Sequence, residues 1–501
     1  MKMPSMNRTR RLVVTRTLST NQLRCIALLA LTCALQSRVF AAPSSSAGAS
    51  TAPTARPNVV LILSDDMGYA DLKAFGDSEI PTPHIDRLCN EGTRFTNAYV
   101  TAPICVPSRM GLLSARYPAR YGIYGNVYKP DEVRLFEQEP LLVDVFRQGG
   151  YRTALVGKWH LGGNGQSRKE RLQLQPLRGG PLPQERGFDE SITIAGGMDH
   201  FVEGTLLYRH REPFPAPEYL TEFFGKEAAA FVERNKARPF FLYLAFNAVH
   251  APLEAPEADI ARLEGIVSPD RRIYAAMLHS MDRSIGYVLA KLREHELEKN
   301  TVVVFLNDNG GAGNHTPEHS RNTGRNVPLR GYKFDLFEGG IRVPMVLRWP
   351  GHVPGGKVYD KLVSSLDVLP TLIAAAGLEL PPGRVHDGVD LLPFLTTSTG
   401  SIPHRELFWK TRAWDGPPHR QGSIPGVHHA AVRRGHWKMV KLNEPLNAPA
   451  PAPWALYDLA RDVGEQHDVA GEYPDVVRDL KAAYLRWLEE MHPSLERVKK
   501  R

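Results

Sequence analysis

The 501-residue sequence predicts an α/β protein with a large, mostly parallel sheet flanked by helices, followed by a smaller C-terminal α+β subdomain. Continuous apolar segments rich in β-branched residues recur along the chain, which is typical of strands buried on both faces. A polar cluster directly follows each of the four clearest segments, which are 58–63, 152–156, 240–246 and 301–306. Parallel α/β sheets bind ligands beyond the carboxyl ends of their strands, so the four clusters converge only if the strands are parallel.

The first 41 residues have the layout of a secretory signal peptide. They contain seven Lys and Arg residues and no acidic residue, and an apolar run from Cys25 to Leu35 precedes a small-residue cleavage site ending at Ala41. The run is too short to span a bilayer. We therefore expect export to the periplasm or the extracellular space, no transmembrane span, and a flexible lead-in over residues 42–56 that is rich in Ser, Ala and Pro.

Charge and cysteine content restrict the function further. The formal charge of +8 falls to about +1 when the leader is excluded, so the basic composition gives no support for nucleic-acid binding. Outside the leader only Cys89 and Cys105 remain. An exported protein could pair them in a disulfide. Alternatively, Cys105 has a chemical role and Cys89 is a buried thiol.

Helical segments between the strands supply the crossovers of a parallel sheet. The clearest runs from Arg271 to about Glu298, with Asp282 and Arg283 predicted as a solvated pair on its outer face. Residues 163–235 are rich in Gly, Pro and Arg in places and predict long loops. Four basic residues there could line a substrate cleft: His200, Arg209, His210 and Arg211.

The composition changes again towards the C-terminus. A strand is predicted over 345–349 and a helix over 363–377. From about residue 398, Pro, Gly and His become frequent, and short alternating segments such as 431–440 and 456–459 predict antiparallel hairpins. A terminal helix is predicted from Tyr473 to Met491. We assign residues 57–397 to a catalytic domain and residues 398–501 to the smaller subdomain.

The polar clusters indicate a cation and an anion at one site. Asp65 and Asp66 follow the first strand and Asp308 and Asn309 follow the fourth, which gives an all-oxygen set suited to calcium or magnesium rather than zinc. Five potential cations accompany them, and crowding these together is reasonable only around a bound anion. They are Arg109, Lys158, His160, His250 and Lys333.

The segment from Cys105 to Arg116 has a specific pattern. Pro107 suits the first position of a helix, which would place Cys105 beside the free N–H groups of the helix start, a favourable place for an anion. Arg109 adds a planar set of donors that suits a tetrahedral oxyanion. Together with the other clusters, this segment resembles the signature of the sulfatase family in the alkaline-phosphatase-like superfamily, C-x-P-S-R-x-x-x-L-[ST]-G-[RK]. Ala115 stands where that family usually has glycine.

The resemblance extends over essentially the whole chain after the leader. The family motifs D-D, C-x-P-S-R, G-K-W-H-L-G, a histidine after the third strand, D-N-G, R-G-x-K and E-G-G-x-R-V-P occur in that order between residues 65 and 344. The resemblance implies that a formylglycine-generating enzyme converts Cys105 to Cα-formylglycine. It also implies a calcium site, with magnesium less favoured, formed by Asp65, Asp66, Cys105, Asp308 and Asn309.

The same resemblance implies the activity of an arylsulfatase-like sulfuric ester hydrolase, with sulfated carbohydrates as the expected substrates. Hydrated formylglycine would be the nucleophile and Arg109 would stabilise it. Lys158, His250 and Lys333 would bind the sulfate, and His250 or Lys333 would protonate the leaving alcohol. His160 would help to expel sulfate from the enzyme. Two alternatives remain open: a phosphate or phosphonate ester hydrolase of the same superfamily, and a non-catalytic exported carbohydrate-binding protein.

Overall fold

The computed structural model describes residues 56–126, 141–161, 182–194, 201–313, 323–397, 400–414, 423–444 and 453–491. The predicted signal peptide and most of the lead-in lie outside these residues. Among the helices of the described ranges, none combines the length and the apolar character needed to cross a membrane.

A ten-stranded mixed sheet forms the centre of the protein, with strand order β11-β2-β10-β9-β1-β8-β4-β5-β6-β7. The four strands predicted from the apolar segments are neighbours in this sheet, and they are mutually parallel. The strands of this sheet are β1 (Asn58–Ser64), β2 (Thr93–Phe95), β4 (Arg152–Lys158), β5 (Glu190–Ile194), β6 (Leu206–Arg209), β7 (Glu212–Pro215), β8 (Phe240–Ala245), β9 (Thr301–Asn307), β10 (Met345–Arg348) and β11 (Lys357–Tyr359). Two short strands, β3 (Ala98–Tyr99) and β12 (Val363–Ser364), pair with each other in a separate parallel sheet. The prediction of a parallel sheet with its site-bearing strands at the centre is confirmed.

Helices cover both faces of the sheet, which explains why the central strands are apolar throughout. They are α1 (Pro83–Glu91), α2 (Cys105–Ser114), α3 (Val143–Gln148), α4 (Leu220–Asn235), α5 (Glu257–Ala261), α6 (Pro269–Glu294), α7 (Glu338–Ile341), α8 (Val368–Ala375), α9 (Leu392–Thr396) and α10 (Pro474–Met491). Val60 and Ile62 of β1 pack into the core beneath α4 and α6. Val59 and Leu61 face the other core, with α2, α3 and α8, because successive side chains of a strand point to opposite faces.

The C-terminal region forms a four-stranded antiparallel sheet, as predicted. Its strands are β13 (Glu406–Trp414), β14 (Ser423–Arg434), β15 (Trp437–Glu444) and β16 (Ala455–Asp458), paired in sequence order. The terminal helix α10 begins one residue after the predicted start and ends at Met491. Trp409 Nε1 donates to the carbonyl of Val100 at 2.7 Å, so this sheet is attached directly to the segment that precedes α2.

The predicted solvated pair of Asp282 and Arg283 on α6 is wrong. Asp282 is buried, and its carboxylate accepts the backbone N–H groups of His84 at 3.2 Å and Ile85 at 2.7 Å, at the start of α1. Its neighbour Arg283 is paired with Asp259 instead, at 2.8 Å. The part of α6 that carries Asp282 therefore packs against the start of α1 and is not solvated.

The region 163–235, where Gly- and Pro-rich stretches predict loops, also contains a helix that the sequence analysis did not predict. Residues 220–235 form α4, whose apolar residues Phe223, Phe224, Phe231 and Val232 recur at helical spacing and pack against the sheet and α6. The Gly- and Pro-rich stretch at 177–181 and His200 lie outside the described residues. The predicted helix over 363–377 is shorter, because β12 and a turn over Ser365–Asp367 precede α8.

Candidate active site

The carboxyl ends of the central strands bring the predicted polar clusters together. The backbone N–H of Asp65, after β1, donates to Ala248 O at 2.9 Å, and the N–H of Val249 donates to Asp65 O at 2.7 Å. On the other side of β1, the N–H of Asp308 donates to Ser64 O at 3.1 Å. These bonds extend the parallel pairing beyond the strands, so the loops that follow β1, β8 and β9 are held side by side.

Helix α2 places Cys105 at the centre of this region. The helix begins at Cys105 rather than at Pro107, since the first helical bond runs from Ser108 N to Ile104 O at 3.2 Å. Pro107 is still within the first turn, where a missing N–H carries no penalty. The Cys105 sulfur lies 3.7 Å from Asp65 Oδ1 and 3.8 Å from Lys158 Nζ. Cys105 and Cys89 are both free, so the disulfide alternative is wrong.

Burial determines the state of the Cys105 thiol. The side chain is buried, and this raises its pKa to about 12 in spite of the opposing charges of Lys158 and Lys333. The thiol is therefore protonated near neutral pH and is a poor nucleophile as it stands. Unmodified Cys105 would not be the attacking group of a hydrolase.

Arg109 connects three parts of the site from within α2. Its Nε donates to Asp308 Oδ2 at 3.0 Å, and its NH2 lies 2.9 Å from the same oxygen and 3.4 Å from Asp65 Oδ2. Its NH1 donates to Lys158 O at 3.2 Å, where β4 ends. Because these groups are fully buried, each carboxylate needs a cationic partner.

The two acids that contact Arg109 respond differently to their surroundings. Burial would raise the pKa of Asp65, but the charges of Lys158 and Arg109 hold it well below its usual value, and Lys158 Nζ is directly paired with its carboxylate. Burial and the neighbouring Asp65 charge raise the pKa of Asp308 to about 7. Asp65 is thus the most strongly ionised carboxylate at the point where Cys105 lies.

Lys333 and His250 form a second pair, next to the carboxylate of Asp66. Lys333 Nζ lies 2.8 Å from Asp66 Oδ2 and 3.0 Å from His250 Nε2. His250 Nδ1 lies 2.6 Å from the carbonyl oxygen of Ala251, which can only accept, so Nδ1 carries the ring proton. Burial, followed by the charge of Lys333, lowers the pKa of His250 well below its usual value. His250 is therefore neutral, and its Nε2 accepts from Lys333.

Asn309 and His160 complete the predicted set. Asn309 Nδ2 donates to Asp66 Oδ1 at 2.8 Å, and its Oδ1 is buried without a hydrogen-bond partner among the described residues. His160 follows β4 in a left-handed conformation, with φ of 54°, and its buried Nδ1 likewise has no hydrogen-bond partner within the described part of the chain. Burial and then the charge of Lys158 lower the pKa of His160 well below its usual value.

The donor atoms fit a hard cation. Within the described residues, single ligand atoms of Asp65, Asp66, Cys105 and His250 lie within 4.8 Å of one another. The unpaired Asn309 oxygen is the kind of buried acceptor that a cation satisfies. Asp308 is not in that group, and its carboxylate is paired with Arg109.

The structure does not bring every predicted residue to the site. Arg209 lies opposite Ile192 in the sheet, short of the strand end at Ile194, which pairs with Lys158. His210 and Arg211 are exposed in the turn after β6. These residues lie back from the strand ends that carry the predicted polar clusters, so the structure does not bring them to that site.

Two asparagines that support the site were missed. Asn307 Oδ1 accepts from Ser64 Oγ at 2.8 Å, and its Nδ2 donates to Met67 O at 2.7 Å, which fixes the turn after β1. Asn326 Nδ2 donates to the carbonyls of Gly311 and Gly331 at 3.0 and 3.1 Å. The position of Asn307 at a strand end was a usable signal, whereas nothing near Asn326 in the sequence marks it.

Comparison with known proteins agrees with this geometry. The sulfatase family profile matches residues 57–378, and a profile described as the C-terminal part of N-sulphoglucosamine sulphohydrolase matches residues 332–490. Human N-acetylgalactosamine-6-sulfatase is 35% identical over 496 residues, covering 89% of this chain and 88% of the relative. Human arylsulfatase A is 32% identical over 470 residues, covering 86% and 87%.

A solved structure shows the same overall arrangement. Ps i-CgsB, crystallised in complex with k-i-k-neocarrahexaose, superposes with a TM-score of 0.73 at 31% identity, covering 86% of this chain and 93% of that one. The strand ends, the Cys105 helix and the C-terminal sheet all fall within the matched regions. The chain belongs to the sulfatase family, and it is a sulfuric ester hydrolase.

Proposed function

We propose that this chain hydrolyses sulfate esters of carbohydrates, with Cys105 converted to Cα-formylglycine by a formylglycine-generating enzyme. The observation that carries the proposal is the position of Cys105 at the start of α2, 3.7 Å from Asp65 and 3.8 Å from Lys158, where the central strands end. An unmodified thiol there is protonated, so the site needs a different nucleophile. The hydrated aldehyde of formylglycine supplies one.

Calcium is the cation that we propose for this site. Asp65, Asp66, Asp308, Asn309 and the modified Cys105 would hold it, and it would supply positive charge where the nucleophile and the sulfate oxygens meet. Three carboxylates and three permanent cations balance in the protein alone: Asp65, Asp66 and Asp308 against Arg109, Lys158 and Lys333. A bound divalent ion makes the site net cationic, which suits an anionic ester.

The remaining residues bind the sulfate group and move protons. Lys158 and Lys333 would donate to sulfate oxygens, His250 would do so once its Nε2 has taken a proton from Lys333, and Arg109 would orient the hydrated aldehyde. Lys333 Nζ and His250 Nε2 are 3.0 Å apart and share a proton, which we propose is transferred to the leaving alcohol. His160, with its buried free Nδ1, would accept a proton as sulfate departs.

Two observations support a carbohydrate substrate. The relatives include human N-acetylgalactosamine-6-sulfatase, and the structurally similar Ps i-CgsB was crystallised with k-i-k-neocarrahexaose. In this chain, the Tyr332 side chain is 39% exposed next to the buried Lys333. Its ring lies against Gly313, where an added Cβ would be 2.6 Å from ring atoms. A rigid, exposed ring beside the sulfate-binding lysine is a suitable platform for a sugar face.

The proposal includes export, as the predicted leader over residues 1–41 indicates, and a division into a catalytic domain over 57–397 and a subdomain over 398–501.

Mass spectrometry of the Cys105 peptide, from protein made in its native host, tests the nucleophile directly. We expect the mass of an aldehyde or its hydrate, and an unmodified thiol in active enzyme would contradict the proposal. Hydrolysis of sulfate and phosphate esters of the same phenol separates the proposed activity from that of a phosphate or phosphonate hydrolase. A chelator should abolish sulfate release and lower the unfolding temperature, and added calcium should restore both.

A further inference from the structure

We propose that Lys438 and Glu465, from the C-terminal region, are positioning residues for Lys333. The inference rests on the role proposed above for Lys333. Both residues act through helix α7, Glu338–Ile341, which lies between the site loops and the C-terminal sheet. The E-G-G motif that forms α7 has no part in the reaction as described so far.

Helix α7 supports both site loops by backbone contact. Gly310 N donates to Gly340 O at 2.9 Å, directly after Asn309, and Gly339 N donates to Arg330 O at 2.7 Å. The two loops are joined to each other where Lys333 N donates to Gly311 O at 3.1 Å. A Cβ on Gly310 would lie 1.8 Å from Gly339 O, so no side chain separates α7 from the turn. Displacement of α7 would therefore move both loops.

Residues of the C-terminal region hold α7 from behind. Lys438 Nζ, fully buried on β15, lies 2.9 Å from Glu338 Oε1 and 2.9 Å from Glu465 Oε1, at angles outside hydrogen-bond geometry. Glu465 Oε2 accepts from the backbone N–H of Glu338 at 2.6 Å. The carbonyl of Glu465 accepts from Arg330 NH1, also at 2.6 Å. Glu465 thus holds both ends of the segment that contains Lys333.

The charge arrangement favours a positioning role over a purely stabilising one. Burial would raise the pKa of Glu338, but Lys438 and Arg342 lower it to about 2, so Glu338 is ionised at the start of α7. Its other oxygen accepts from Tyr99 Oη at 2.7 Å. Buried ion pairs are often no more stabilising than apolar side chains of the same size, although removal of one partner leaves a buried charge uncompensated, and they can fix the groups that they join in one geometry. Here the group they fix is the support of the site.

The test compares Lys438→Met with Arg434→Met in the full-length, calcium-loaded enzyme. Arg434 lies in the same sheet and pairs with Glu406 on β13, away from α7. We expect kcat/KM for sulfate-ester hydrolysis to fall by about 10- to 100-fold in Lys438→Met, as for other residues that orient site groups. Arg434→Met should stay within about 2-fold of wild type. Thermal unfolding establishes that each variant is folded.

A double-mutant cycle with Lys333→Ala distinguishes positioning from a general structural effect. If Lys438 acts through Lys333 and its loop, the variant Lys333→Ala/Lys438→Met loses little more activity than Lys333→Ala alone. Losses that multiply would overturn the inference, as would unchanged kcat/KM in folded Lys438→Met.

If Lys438→Met does not fold, Tyr99→Phe replaces it in the same cycle. This variant removes only the hydroxyl that donates to Glu338. A loss of kcat/KM that disappears in the Lys333→Ala background supports the inference, and an unchanged kcat/KM or an additive loss overturns it. A wild-type enzyme that is inactive on sulfate esters would instead overturn the proposed function, so the two failures are distinguishable.

Discussion

The burial of Asp282 makes the stability of this protein depend on pH in a direction that can be worked out. The carboxyl group lies between α6 and the start of α1 and accepts two backbone N–H groups. Burial raises its pKa to about 7 from the ordinary value of 3.8, and the two N–H groups only partly offset that effect. The folded protein therefore keeps a proton on Asp282 that the unfolded chain releases.

The sign and the size of the effect follow from proton linkage. Between pH 4 and pH 7 the folded state binds more protons than the unfolded state at this position, so the free energy of unfolding falls as the pH rises. A difference of about three pKa units corresponds to about 4 kcal/mol, lost progressively over that range and constant above it. Asp282→Asn removes the titration while it keeps a side-chain oxygen for one of the two N–H groups.

Urea unfolding of wild type and Asp282→Asn at pH 5, 6, 7 and 8 measures the difference. We expect the variant to become more stable relative to wild type as the pH rises, by about 3 kcal/mol between pH 5 and pH 8. Asp479→Asn, on α10 with a side chain that is 61% exposed, should follow wild type at every pH. A constant difference between Asp282→Asn and wild type would refute the reasoning, because the helix start would then hold the carboxylate ionised.

Three further predictions concern the site and its helix. Cys105→Ser should abolish steady turnover, because serine cannot form the hydrated aldehyde, and continued release of sulfate beyond one equivalent per enzyme would contradict the assignment. Tyr332→Ala should lower kcat/KM for a sulfated oligosaccharide by about 10-fold and leave that for a small aryl sulfate within about 2-fold, as steady-state kinetics with both substrates would show. Ala115 ends α2 with φ of 54° and is fully buried. Ala115→Val should lower the free energy of unfolding by about 2–4 kcal/mol because a β-branched residue is strained there. Ala115→Gly should change it by no more than about 1 kcal/mol, since relief of the backbone strain offsets the lost methyl group. Urea unfolding of both variants measures these differences.

The position of Ala115 also explains a feature of the signature segment. The sulfatase signature usually has glycine at this point, and the structure requires a left-handed backbone there, which glycine adopts without strain. The sequence showed the departure but not its physical meaning, because the end of α2 was not fixed by any local signal. The predicted start of α2, at Pro107, was two residues too late for a similar reason, since proline is tolerated throughout the first turn.

The central sheet could be predicted because its strands are buried on both faces and their polar residues come directly after them. The same reasoning failed for α4 and for Asp282, where the partner that buries a side chain lies far away in the sequence. Phe223 and Phe231 have helical spacing, but the neighbouring loops obscured it. Nothing near Asp282 indicates that the start of α1 lies against it.

The candidate site shows the same limit at atomic scale. Adjacency to strand ends predicted which residues meet, and all six residues proposed for catalysis lie in one buried region: Cys105, Arg109, Lys158, His160, His250 and Lys333. It did not predict that Arg109 would form an ion pair with Asp308. Nor did it predict that a ligand atom of His250 would lie within 4.8 Å of ligand atoms of Asp65 and Asp66. Those pairings depend on side-chain reach across the sheet, which residue order does not encode.

The charge balance of the site connects its stability with its proposed chemistry. Without a bound ion, each of the three buried carboxylates is paired with a lysine or an arginine, so the protein can fold around them without leaving a charge uncompensated. A sulfate ester carries a single negative charge and needs cationic groups that are free to reach its oxygens. A divalent ion that binds the carboxylates would release Lys158 and Lys333 from that pairing. The same lysines can therefore compensate the buried carboxylates and, once a cation takes over that role, bind the substrate.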